Sequence, residues 1–358
     1  MTPISSYTSS GTGRRSQEFT PASALRGFLA HSGRKAAELS PGYERVWERI
    51  ARTTEAGRGL QQELVMTSVE AYPARPTRPV LNAVAAAFEL LHTAMVLRAE
   101  AGGLRGVARA ANAVDAESAD PTDRDGSRAD LTAAAGDLAL TGAYRLIATS
   151  RAPETRMLKL LEILDESVFH AAAGERLVAE LSRRTEPVPH DKALDAIRLA
   201  IAVPCYEAPL RAGAVLGGAP TAHVIALGSI GRSLGMAHEL SGELRAAAGT
   251  RDEAEYEGSV SSSPVLHPDR CTVTGVLVEA GEHGPAWQNL RERAARGPLD
   301  ADDVARARDL LDRSGAARSV ARIVDTSVRR AKDTMAATEL PAILEDGLLA
   351  WLERETAV

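Results

Sequence analysis

Glu89 and His92 lie three residues apart in a stretch where apolar residues recur at helical spacing: Leu90, Leu91, Ala94, Met95 and Leu97. The two polar side chains therefore share one face of a helix that reads as buried. A carboxylate and an imidazole turned inward need a reason. Taken alone, a satisfied buried polar pair is the better reading. Glu239 and Glu243 are four apart and also share a helical face, with His238 beside them. Signatures of nucleophilic catalysis are absent. There is no G-x-S-x-G, and neither cysteine, Cys205 or Cys271, has an obvious partner, a disulfide framework or metal-ligand spacing.

The elements that must position these residues are helical. The chain has 358 residues, 44% hydrophobic and 4% aromatic, enough for a sizeable core. Alanine, leucine and arginine dominate and β-branched runs are few, which favours an all-α protein. Residues 1–20 read as a disordered tail of Ser, Thr and Gly, and residues 21–358 as one helical domain. Patterning begins near Pro21, resumes after the Pro41-Gly42 turn signal, and continues over residues 63–70. Three prolines between Tyr72 and Pro79 mark a connection. The central helix follows at about 81–100, stopped by Gly102 and Gly103. Residues 115–130, DAESADPTDRDGSRAD, read as a mobile acidic loop; a metal site there lacks anything to fix the carboxylates.

Further helices are expected over 131–148, 156–185, 191–217, 222–248, 286–295, 302–333 and 341–353. Pro204 and Pro209 predict a kink or break within 191–217. Gly228, Gly231 and Gly235 predict close packing of 222–248, and Gly315 a break in 302–333. Residues 250–271 read as irregular, and 273–278 fit a short strand or a helix equally well.

Charge excludes some functions. Net charge is −6, and no basic stripe with interleaved aromatics suggests nucleic acid. No apolar run is expected to reach transmembrane length. Arg14-Arg15 lacks the apolar segment of a twin-arginine signal, so the expected location is cytoplasmic.

Four segments, in order, resemble motifs of the trans-polyprenyl diphosphate synthases. Ala56-Gly57-Arg58-Gly59-Leu60-Gln61-Gln62 is similar to G-G-K-x-x-R-P. Residues 89–103 resemble E-L-L-H-T-A-x-x-x-H-D-D-x-x-D, Gly136-Asp137-Leu138-Ala139-Leu140 resembles G-D-x-L-L, and residues 234–246 resemble L-G-x-A-F-Q-x-x-D-D-x-x-D. The resemblance covers most of the chain from about Trp47. It implies an all-α, isoprenoid-synthase-like helical bundle around a central apolar cavity, and a dimer. It implies substrate-binding roles for Arg58, Glu89, His92 and Arg98, and an isoprenoid diphosphate or other apolar isoprenoid as ligand.

The departures from those motifs fall on chemistry. Ionising an allylic diphosphate needs magnesium and basic side chains to neutralise the leaving group. The family's first aspartates are Ala99, Glu100 and Gly103 here, and its second set is Gly242, Glu243 and Ala246. The metal ligands implied are therefore Glu100, Glu239 and Glu243, and Mg2+ binding is expected to be weakened. This favours a non-elongating partner or regulatory subunit, as a homodimer or a heterodimer with an active prenyl synthase, or an isoprenoid binder. The alternative is a diverged enzyme, a terpene cyclase or prenyltransferase, using Glu100, Glu239 and Glu243 with Arg58, Arg98 and Arg245. Asp300-Ala301-Asp302-Asp303 spells the D-x-D-D of protonating cyclases, but here it opens a polar helix, where acids suit the dipole.

Overall fold

The computed structural model describes residues 20–102, 125–184, 186–248, 271–297 and 299–356. Every regular element among them is helical, in keeping with the composition. The tail to residue 19, most of the acidic stretch and residues 249–270 lie outside the described residues.

α1 (Pro21–Ala37) starts where Thr20 accepts from the Ser23 N–H and Ser23 returns a bond to the Thr20 N–H. α2 (Pro41–Glu55) is capped by Ser40, and α3 (Leu60–Glu70) starts after Gly59, whose φ of +70° suits glycine. α4 (Arg78–Ala101) is the axis: Val84, Phe88, Leu90, Leu91 and Leu97 are fully buried. α5 (Asp125–Ala148) lies along it and begins six residues earlier than the expected 131, inside the acidic stretch. Acids are favourable at a helix start, and alanine-rich sequence extends a helix readily.

α6 (Glu154–Ser182) precedes a long helical run, His190–Gly217. It comprises α7 (His190–Ile197), a π-helical stretch (Arg198–Glu207) and α8 (Ala208–Gly217). The expected break at Pro204 is replaced by this widened turn. Proline has no N–H to donate, and a π-type ladder is one way to carry the chain past it. Pro209 falls in the first turn of α8, where its missing donor matters least.

α9 (Thr221–Ala248) packs against the π stretch and α13 (Ala316–Thr338). A Cβ on Gly231 would lie 2.6 Å from Glu207 Cα, and one on Gly235 would lie 2.7 Å from Ala202 Cα. The predicted close approach is thus a backbone-to-backbone one. α10 (Val273–Glu279) resolves the open choice at 273–278 in favour of helix. It is capped by Thr272 and covered by α11 (Gly284–Arg296) and α12 (Ala301–Ser314). Asp300 caps α12 by accepting the Asp303 N–H, so the D-x-D-D is a helix start. Asp303 is buried and paired with Arg293 at 2.7 Å. Gly315, at φ +69°, separates α12 from α13, and α14 (Ala342–Thr356) closes the bundle.

Two helical runs, Arg78–Ala101 and His190–Gly217, are long and apolar enough to cross a bilayer by length and composition, against the expectation that no apolar run would qualify. Their apolar windows are 89% and 78% buried inside the bundle, so protein already covers those surfaces.

Candidate functional site

α3, α4, the π stretch, α9 and α14 bring most of the polar residues together. Glu89 projects from α4 at the start of α3. Its carboxylate faces the N–H groups of Gln62, Gln61 and Gly59, and Gly57 leaves room for it: a Cβ there would sit 3.1 Å from Glu89 Oε1. No side chain of α3 caps that helix, so Glu89 supplies the negative charge its N-terminus favours. Burial is the larger effect and pushes the Glu89 carboxyl up to about 7. Its Oε2 is buried without a hydrogen-bond partner.

One turn on, His92 Nδ1 lies 3.5 Å from Cys205 Sγ of the π stretch. Desolvation lowers His92 to about 4, against the opposing pull of Glu239 from α9. Burial, with the Glu239 and Glu89 charges, keeps the Cys205 thiol protonated. It is therefore no nucleophile. His92 thus contacts Cys205, and the charges of Glu89 and Glu239 act on it from α4 and α9.

A second group lies on the α9–α14 side. Tyr206, His238 and Trp351 form an aromatic cluster with ring centroids 5.7–5.9 Å apart. Glu355 of α14 lies beside it. Arg58 Nη2 donates to both Glu355 oxygens at 3.0 Å, and Arg354 Nε donates at 2.9 Å. Arg245 Nη1 reaches the Glu355 backbone oxygen at 3.4 Å. Burial alone would raise the Glu355 carboxyl, but Arg354, Arg58 and His238 together hold it below its ordinary value.

The remaining predicted residues go elsewhere. Arg98 faces Asp137 of α5 at 3.4 Å and Glu175 of α6 at 4.0 Å. Gly136 makes that approach feasible, since a Cβ would sit 2.9 Å from Arg98 Cγ. Both Glu100 oxygens accept from Arg49 Nη2 of α2, at 2.7 and 2.6 Å. Glu243 is buried and accepts the N–H groups of Val273 and Thr274 at 3.2 and 3.0 Å, and the Thr274 hydroxyl at 2.9 Å. It therefore caps α10. No cluster of three metal-ligating side chains exists among the described residues. Magnesium wants several hard oxygens at short range. At Glu100 and Glu243 it would have to displace a buried guanidinium and a helix N-terminus, so these residues do not fit the ion.

Local sequence pattern missed Arg49, Arg354, Glu355 and Trp351. They reach their partners only through tertiary packing, and no spacing signal marks them.

Among solved structures, three of those with this architecture are prenyl synthases. The geranylgeranyl pyrophosphate synthase from Corynebacterium glutamicum, complexed with isoprenyl diphosphate and magnesium, is 16% identical with a TM-score of 0.80, covering 94% of this chain and 97% of that one. The geranylgeranyl pyrophosphate synthetase from Pyrococcus horikoshii Ot3 is 18% identical (TM-score 0.69; 94% and 99% covered). The polyprenyl synthase from Caulobacter crescentus CB15, complexed with calcium and isoprenyl diphosphate, is 21% identical (TM-score 0.62; 94% and 99%). No protein-family model matches the sequence, and no curated protein is significantly similar to it. The chain has the all-α fold of these synthases along nearly its whole length, and at such identities the likeness establishes the fold alone.

Proposed function

We propose that this chain is a prenyl-synthase-like protein of isoprenoid metabolism that binds an isoprenoid and does not elongate it by the magnesium-assisted route. It acts as a cytoplasmic partner or regulatory subunit, paired with itself or with an active prenyl synthase. The observation that carries this reading is the commitment of Glu100 to Arg49 and of Glu243 to the α10 N-terminus. Ionising a diphosphate requires cations over the leaving group, and carboxylates occupied by internal partners do not gather them.

The test combines two assays. Full-length protein is incubated with magnesium, farnesyl diphosphate and isopentenyl diphosphate. The expected result is no longer prenyl diphosphate, with farnesyl diphosphate still bound and its affinity unchanged by magnesium. Efficient elongation overturns the reading. One observation favours the alternative of a diverged enzyme. The Glu239 charge acts on His92, Cys205, Tyr206 and His238, four groups largely buried in the bundle. That reading predicts turnover of a prenyl diphosphate that Glu239→Gln abolishes.

A further inference from the structure

α14 delivers a carboxylate to an unfavourable place. Glu355 lies in the last turn of its helix, where the dipole's negative end opposes an acid. The carboxylate is nevertheless buried, at 7% exposure, while its partner Arg58 is 67% exposed. Arg58 before α3 and Arg354 of α14 itself donate to the carboxylate, and Arg245 of α9 donates to the Glu355 backbone oxygen beside it. The seat therefore selects for an anion and is supplied with one by the chain.

Glu355 fills that seat incompletely. His238 Nδ1 is buried with no hydrogen-bond partner, and it lies 3.5 Å from Glu355 Oε2. Trp351 Nε1, in the same aromatic cluster, is also buried without a partner. A planar carboxylate offers two oxygens. A phosphoryl group offers more, spread in three dimensions, and has more to give such donors. α14 is anchored by Leu344, Leu348, Trp351 and Leu352, which are buried, so withdrawing residues 353–356 requires only the last turn to fray, with the rest of the helix in place.

We propose that Glu355 is a built-in plug: it occupies a phosphoryl-binding seat formed by Arg58, Arg245 and His238, and a diphosphate enters only as the last turn of α14, carrying Arg354 with it, withdraws. The proposal rests on the reading that this end of the bundle receives an isoprenoid headgroup. It adds that the chain competes with its own ligand.

Inorganic pyrophosphate is titrated calorimetrically, in chelator, into the full-length protein, into Glu355→Gln and into Arg58→Gln/Glu355→Gln. Glu355→Gln is expected to bind at least about tenfold more tightly than the unaltered chain, and the double variant to lose that gain. Equal affinity for the first two overturns the plug and leaves the isoprenoid reading standing. No binding by either overturns the plug as well; binding of uncharged farnesol then shows whether the isoprenoid reading survives. Should Glu355→Gln fail to fold, hydrogen exchange on the unaltered chain decides. Pyrophosphate must speed exchange of the amides of residues 353–356, and unchanged or slowed exchange contradicts the proposal.

Discussion

Glu89 and His92 pull stability in opposite directions as pH changes. The folded Glu89 carboxyl titrates near 7 and the unfolded one near 4.5, so between those values the folded state holds the extra proton. Its contribution is complete below about 4.5 and is lost as pH rises to about 7. His92 titrates near 4 when folded and near 6.5 when unfolded, so its contribution is lost as pH falls from about 6.5 to 4. Glu89→Gln is therefore expected to gain stability relative to the parent at pH 8 compared with pH 5. The gain is roughly 2–3 kcal/mol, because each tenfold difference in proton affinity between the folded and unfolded chain is worth about 1.4 kcal/mol. Urea unfolding at the two pH values checks this; a parallel pH dependence in both proteins refutes it. The Arg49–Glu100 pair yields a second expectation. Arg49→Met leaves a largely buried carboxylate without its guanidinium and is expected to destabilise by roughly 3–5 kcal/mol. Arg49→Met/Glu100→Gln should recover much of that loss in the same unfolding measurement.

At the scale of elements, the glycines of α9 were legible because three small residues on an apolar helix ask for a close neighbour. Their partner was not, because the π stretch they touch follows from Pro204 in its tertiary setting. Gly231→Ala is expected to destabilise by about 1–3 kcal/mol or more, since the neighbouring atoms are Glu207 Cα and N. Gly27→Ala, with no atom within 4 Å of the added Cβ, should stabilise α1 by about 0.5–1 kcal/mol. Thermal unfolding of the two variants checks both signs. The Gly315 break and the Asp300 start of α12 were readable for local reasons: a positive φ and a side-chain cap. Residues 273–278 were ambiguous because a six-residue apolar run fits either period. What fixes α10 is Glu243, thirty residues earlier, closing over its first N–H groups.

Across the whole molecule, helix existence was legible almost everywhere, because 3.6-residue periodicity is a local property of the sequence. The site was legible only in part. His92 meets Cys205, and the charges of Glu239 and Glu89 act on it. Arg98, Glu100 and Glu243 sit in motif-like positions, yet each is spent on holding a neighbouring helix. Sequence spacing cannot distinguish a carboxylate that caps a helix from one that holds a cation, because the difference lies in a partner far along the chain. The same limit hid Glu355, whose contact with Arg58 joins residues 297 apart.

Magnesium-dependent release of inorganic pyrophosphate from geranyl, farnesyl and geranylgeranyl diphosphates bears most directly on the roles of these carboxylates. Release no faster than in protein-free controls is the predicted result. Rapid release that requires magnesium and disappears in Glu100→Gln or Glu243→Gln would contradict it, because those residues would then be serving a cation and not a helix.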